Sequence, residues 1–198
     1  MPKRVNHRER KEKIAEATLK MIYQEGIEKA TLREIAKEVG LSLGSVQYYF
    51  PRQKDLYEFT MESLYRRTEA RIGNVILDDQ TAFENAVSML SQLVQVKNPQ
   101  QRIENDIWAQ LNLMPNKSPE YSQLKNRYRE SYTAFVTRAV TILKENDDLL
   151  NKDHVEDETK TLAIFIDGLM FETVIYPEIY DEQAVEKQIR EYLYKICR

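Results

Sequence analysis

Residues Leu32–Pro51 read LREIAKEVGLSLGSVQYYFP, and this stretch decides the fold. Leu32, Ile35, Ala36 and Val39 recur at helical spacing and stop at Gly40. Thr31 precedes them, so T-L-R-E reads as a capping box: the Thr hydroxyl takes a backbone N–H and Glu34 reaches back. Beyond the glycine, Ser42 can cap a second short helix that turns Val46, Tyr49 and Phe50 inward, and Pro51 closes it. Position by position this fits a helix-turn-helix. Ala36 is small where the two helices approach, and Gly40 sits where the turn calls for positive φ. Ile35, Val39, Leu41 and Val46 occupy the fastening positions. An ordinary αα-corner in a helical bundle is the competing reading.

Working outward, the same period continues. Ile14, Ala17, Thr18, Met21 and Ile22 mark a helix that stops at Gly26. Asp55 opens a long amphipathic segment to about Leu77, and further helices are expected over about 81–96 and 99–114. SPEY at Ser118–Tyr121 is a start signal for one running through Leu143, followed by two more over about 155–175 and 181–196. No stretch alternates with period two, and only five Gly and six Pro occur in 198 residues, so the expected class is all-α.

Composition narrows the rest. One cysteine, Cys197, excludes a disulfide framework or a multi-Cys metal site. The longest apolar run, Leu162–Ile166, is far short of the ~20 residues of a membrane span, and the start MPKRVNHRERKEK holds no signal peptide, which predicts a cytoplasmic protein without a membrane partner. A net charge of −3 speaks against nucleic acid until it is divided. Residues 1–56 carry twelve Lys/Arg against eight Asp/Glu, a balance of +4; residues 57–198 carry seventeen against twenty-four, a balance of −7. The division predicts a small basic domain over 1–56 and a larger acidic one over 57–198. Lys3, Arg4, Arg8, Arg10, Lys11 and Lys13 crowd the start, as a solvated tail or as an arm reaching a phosphate backbone.

If the motif reads DNA, the short second helix enters a major groove about 12 Å wide. Its exposed side would present Leu43, Gly44, Ser45, Gln47 and Tyr48, which with Arg33 are the candidates for base readout. Arg33 suits guanine, Gln47 suits adenine and Leu43 a thymine methyl. Thr31, Tyr49, Arg52, Gln53 and Lys54 are candidates for holding phosphates, which fixes register without carrying sequence information. Tyr48 and Tyr49 can equally be packing residues.

Thr31–Ser42, then Gly44-Ser45-Val46, Tyr49-Phe50-Pro51 and Asp55-Leu56, resemble the N-terminal domain of the tetracycline-repressor (TetR) family of regulators. The resemblance covers about residues 10–60. It implies a three-helix DNA-binding domain joined by a fourth helix to a helical effector-binding and dimerisation domain. Asp167-Gly168-Leu169 and Tyr176-Pro177, before an amphipathic last helix, are similar to the branch that includes betaine-responsive repressors. Two positions depart from the family pattern. Gln47 stands where Tyr is frequent, and Gln53 stands where the family has a phosphate-binding lysine; Arg52 and Lys54 flank it and could supply the charge.

A recognition helix this short gains specificity from symmetry, so a homodimer on a near-palindromic operator in double-stranded DNA is expected. The dimer surface is sought on the last two helices, at Phe165, Gly168, Leu169 and Glu172 and at Ile189, Tyr192, Leu193 and Ile196, with the monomer's own core as the competing reading. Met89, Leu93, Trp108, Tyr128, Tyr132 and Phe165 could line an effector pocket, where the carboxylate of Glu104 would suit a cationic small molecule. No Gly-rich phosphate loop, HExxH or CxxC occurs, and His7 and His154 stand isolated in charged surroundings. Neither an enzyme nor a bound cofactor or metal is expected. The function expected is a sequence-specific transcriptional repressor released by a small-molecule effector, with an effector-dependent activator or an all-α adaptor that never touches DNA as alternatives.

Overall fold

The computed structural model describes residues 6–73, 81–94, 96–113, 119–150 and 152–197. Among them the chain forms nine α-helices and no strand: α1 (His7–Glu25), α2 (Leu32–Glu38), α3 (Leu43–Tyr49), α4 (Gln53–Gly73), α5 (Ala82–Val94), α6 (Pro99–Leu113), α7 (Pro119–Glu145), α8 (Val155–Ile175) and α9 (Glu182–Ile196). None of these is long and apolar enough to cross a membrane. The expected helix ends at Leu77 and Met114, and the Ser118 cap, lie outside the described residues.

The helices begin and end where local chemistry dictates. Asn6 caps α1 by accepting the Arg8 N–H at 3.1 Å, and Gly26, at φ 86°, ends it. Among the described residues, the basic start is helical from His7 onward, so Arg8, Arg10, Lys11 and Lys13 stand on α1. Asp55 does not open α4; it sits in the first turn and its carboxylate reaches back to the Arg52 backbone N–H at 2.9 Å, so the helix starts at Gln53. Thr81 caps α5 and Asn98 caps α6 through the N–H groups of Glu84 and Gln101. Asp181 caps α9 by accepting from Ala184 at 2.8 Å.

Two units divide the helices. One comprises residues up to Arg67 together with Asp106–Tyr121; the other comprises Thr68–Asn105 and Ser122 onward. The division thus falls within α4, α6 and α7. In the first unit Ile14 and Ile22 of α1, Ile35 of α2, Val46 of α3, Phe50 and Leu56 are wholly buried. In the second, Leu90, Val140, Leu143, Leu162, Ile166, Ile189 and Leu193 bring α5, α7, α8 and α9 around one apolar core. Arg190 of α9 forks onto the Glu84 carboxylate of α5 at 2.7 and 2.6 Å and also takes Glu186. The chain closes with the Leu150 N–H on the Ile196 carbonyl at 2.9 Å, which buries Cys197.

Candidate functional site

The turn between α2 and α3 satisfies its own backbone. Gly40 adopts φ 65°, its N–H reaches the Lys37 carbonyl at 3.1 Å, and the Leu41 N–H reaches Ala36 at 2.9 Å. These are the two bonds of a Schellman motif, and a side chain at that φ would cost roughly 1–2 kcal/mol. Ser42 then caps α3 by accepting the Ser45 N–H at 3.1 Å, and the two serine hydroxyls lie 2.8 Å apart. At α2 the capping box is only half made. Thr31 Oγ1 accepts the Glu34 N–H at 3.3 Å, but the Glu34 carboxylate turns to Lys37 at 2.7 Å, and the Thr31 N–H binds the Lys29 carbonyl.

This frame turns one side of α3 outward. Gly44, Ser45 and Gln47 are exposed, Tyr48 is 72% exposed, and Leu43 is half-buried. Val46 and Phe50 face the core; Tyr49, expected inward, is half-buried. Arg33 and Thr31 are exposed on α2. His7 is not isolated. From the first turn of α1 it packs on the rings of Tyr48 and Tyr49, a contact that sequence reading missed because the partners lie 41 and 42 residues further along the chain.

At the start of α4 the candidate phosphate groups separate. The Arg52 guanidinium binds both oxygens of Asp55, at 3.1 and 2.8 Å, and this hydrogen bonding holds the Asp55 carboxyl below its usual range. Lys54 is half-buried. Gln53 is built into the domain: its Oε1 accepts the Leu32 N–H at 2.7 Å and its Nε2 donates to the Ala30 carbonyl at 2.6 Å. One turn on, the Tyr57 hydroxyl donates to the Ile27 carbonyl at 2.8 Å.

The effector candidates divide between the units. Met89 and Leu93 belong to the core of the second unit; Tyr128 is buried there, Tyr132 donates to the Ala163 carbonyl at 3.1 Å, and Phe165 stacks on Tyr192 at 4.6 Å. Trp108 belongs to the first unit. Glu104, 4% exposed, binds Arg71 of α4 at 3.0 Å. Beside it in sequence Asn105, 1% exposed, donates to Thr173 Oγ1 at 2.9 Å and to the Val94 carbonyl. The Asn105 Oδ1 and the Arg71 Nε are buried without a hydrogen-bond partner. Neither residue carried a signal in the sequence, since each is a lone polar side chain on a helix.

Of the dimer candidates, Leu169, Ile189 and Leu193 lie in the core of the second unit. Phe165, Glu172, Tyr192 and Ile196 are half-buried, and Gly168 is exposed. Near Gly168 along α8, Ile164 and Ile175 stand exposed, while exposed Tyr194 of α9 stacks on Phe83 of α5 at 4.8 Å.

A helix-turn-helix whose second helix is capped and turns Gly44, Ser45, Gln47 and Tyr48 outward, in a chain with a second helical unit of its own apolar core, is the architecture of the helix-turn-helix class of regulators. Comparison with known proteins gives the family. The profile described as bacterial regulatory proteins, tetR family, matches residues 14–59, and the profile described as BetI-type transcriptional repressor, C-terminal, matches residues 83–198. The chain belongs to the TetR family of transcriptional regulators, with a BetI-type C-terminal half. Relatives include the HTH-type transcriptional regulator PksA of Bacillus subtilis, 26% identical over 197 residues and covering 100% of this chain and 94% of that protein. BetI of Vibrio campbellii is 25% identical over 186 residues, covering 94% and 91%. In fold the chain is similar to a transcriptional regulator from Saccharomonospora viridis solved in complex with choline, at a TM-score of 0.80, 17% identity and coverage of 96% and 99%.

Proposed function

We propose that the protein is a homodimeric repressor that reads a near-palindromic operator through α3 and releases it when a small molecule enters the second unit. The observation that carries this reading is the outward face of α3, where Gly44, Ser45, Gln47 and Tyr48 are exposed on a helix with both ends capped. In this reading Arg33, Leu43, Gly44, Ser45, Gln47 and Tyr48 address bases, while Thr31, Tyr49, Arg52 and Lys54 hold phosphates. Gln53 positions α2 instead of meeting a phosphate, because its amide oxygen and nitrogen are both engaged inside the domain. The second copy docks on exposed Ile164, Gly168 and Ile175, with Phe165, Glu172, Tyr192 and Ile196 at its edge. Buried Leu169, Ile189 and Leu193 support that face from beneath.

The effector in this reading is polar or charged. Glu104, Arg71 and Asn105 bring buried polar atoms, two of them unpaired, together in the second unit, and such groups call for a partner. Choline, the ligand of the Saccharomonospora protein, is the first probe. The chain acts without catalysis, as a cytoplasmic DNA-binding protein.

Selection of duplexes from a random library, followed by anisotropy at rising salt, tests the DNA reading. Recovery of a two-fold sequence whose binding weakens steeply with salt is expected. Binding indifferent to sequence, or flat in salt, overturns it.

A further inference from the structure

The first turn of α1 meets the far end of α3 through aromatic rings. The His7 imidazole lies 4.8 Å from the Tyr49 ring at 51°, and 5.9 Å from the Tyr48 ring at 70°. Tyr48 and Tyr49 are themselves 5.1 Å apart, edge to face at 85°. All three separations fall in the range where aromatic pairs attract, so the rings close a triangle. One turn along α1, Lys11 places its ammonium over Phe50 at 5.1 Å and Phe59 at 5.5 Å. Residues four apart share a helix face, so a single face of α1 abuts Tyr48, Tyr49 and Phe50. Tyr48 is otherwise open to solvent, and the contacts that restrain its ring are aromatic.

We propose that His7 is a positioning residue for sequence reading: its imidazole braces Tyr48 and Tyr49 and so sets the direction from which Tyr48 meets the duplex. This rests on the reading that α3 contacts DNA. The brace is a matter of ring shape and edge, not of charge, and any flat ring at position 7 would supply it. His7 belongs to α1, outside the helix-turn-helix, so base preference would depend on a residue that lies beyond the motif.

The test uses the full chain as wild type, His7→Ala, His7→Phe and Tyr48→Ala. Wild-type protein first selects an operator from a random duplex library; anisotropy then compares that duplex with its single-base variants. Tyr48→Ala identifies the base pairs that depend on Tyr48. At those pairs His7→Ala should lose discrimination by between about twofold and about tenfold, His7→Phe should restore it, and the salt slope should stay constant across all three. The proposal is overturned if His7→Ala keeps wild-type preference, or if Tyr48→Ala changes none. It is overturned equally if His7→Phe weakens every duplex alike with a shallower salt slope, which would make His7 a charge contact. Failure of the wild type to select any sequence would overturn the DNA reading itself, a result distinct from all of these.

Discussion

Gln53 accepts the backbone N–H of Leu32 at 2.7 Å, so the first residue of α4 closes the first turn of α2. The same amide donates to the Ala30 carbonyl at 2.6 Å, and Ala30 is fully buried. A position that the family resemblance assigns to a phosphate contact is here a fastening within the domain.

Gln53→Ala should therefore destabilise the protein by about 1–3 kcal/mol, the cost of leaving Leu32 N–H and Ala30 carbonyl short of a partner. The Tyr57 hydroxyl also lies 3.3 Å from the Ala30 oxygen, which places the loss toward the lower end. Urea denaturation of the full chain measures it. Gln53→Lys, which restores the family residue, should lower stability too, because a lysine cannot accept from Leu32. Equal midpoints for the three proteins would contradict the fastening.

Acid should loosen the second unit through Glu84. Hydrogen bonding from Arg190 holds its carboxyl below the usual value of 4.5, so the unfolded chain takes up the proton more readily than the folded one. The contribution is complete above the ordinary glutamate value and is lost as pH falls through the lowered folded value. Thermal melts between about pH 6 and about pH 3 should fall more steeply for wild type than for Glu84→Gln. Parallel curves would show that the pair adds nothing, which is common for partly exposed ion pairs.

Cys197 should resist alkylation in the native protein. Burial, aided by Asp148, pushes its thiol up to about 11, so little thiolate exists at neutral pH, and only 6% of the residue is exposed. Iodoacetamide labelling followed by mass spectrometry should show slow modification that accelerates in denaturant. Rapid labelling without denaturant would mean that the Leu150–Ile196 closure opens readily.

How far these features were legible depends on distance along the chain. Gly40, Ser42 and the inward Val46 follow from residues within a few positions of one another, and the helix-turn-helix forms as its spacing says. The half-made capping box is a local competition: Glu34 has Lys37 one turn away and takes that ammonium in place of a backbone N–H. Gln53 and His7 are of another kind. Their partners lie 21 and 41 or more residues away, and no periodicity reports which polar or aromatic side chain a fold will bring to them. The last two helices show the same limit. Amphipathic stripes mark what is apolar, and Leu169, Ile189 and Leu193 satisfied theirs within one chain while Ile164 remained outside.

The turn before α3 leaves little to be ordered later. Its carbonyls and N–H groups are met by Gly40, Leu41 and Ser42 before any partner arrives. Many nucleic-acid-binding segments fold only on contact, and their binding carries the heat-capacity signature of that folding. Here the conformational entropy of the reading helix is already surrendered when the chain folds. Association would then register in calorimetry as the docking of a finished part, with a heat-capacity change set by the surface it covers alone.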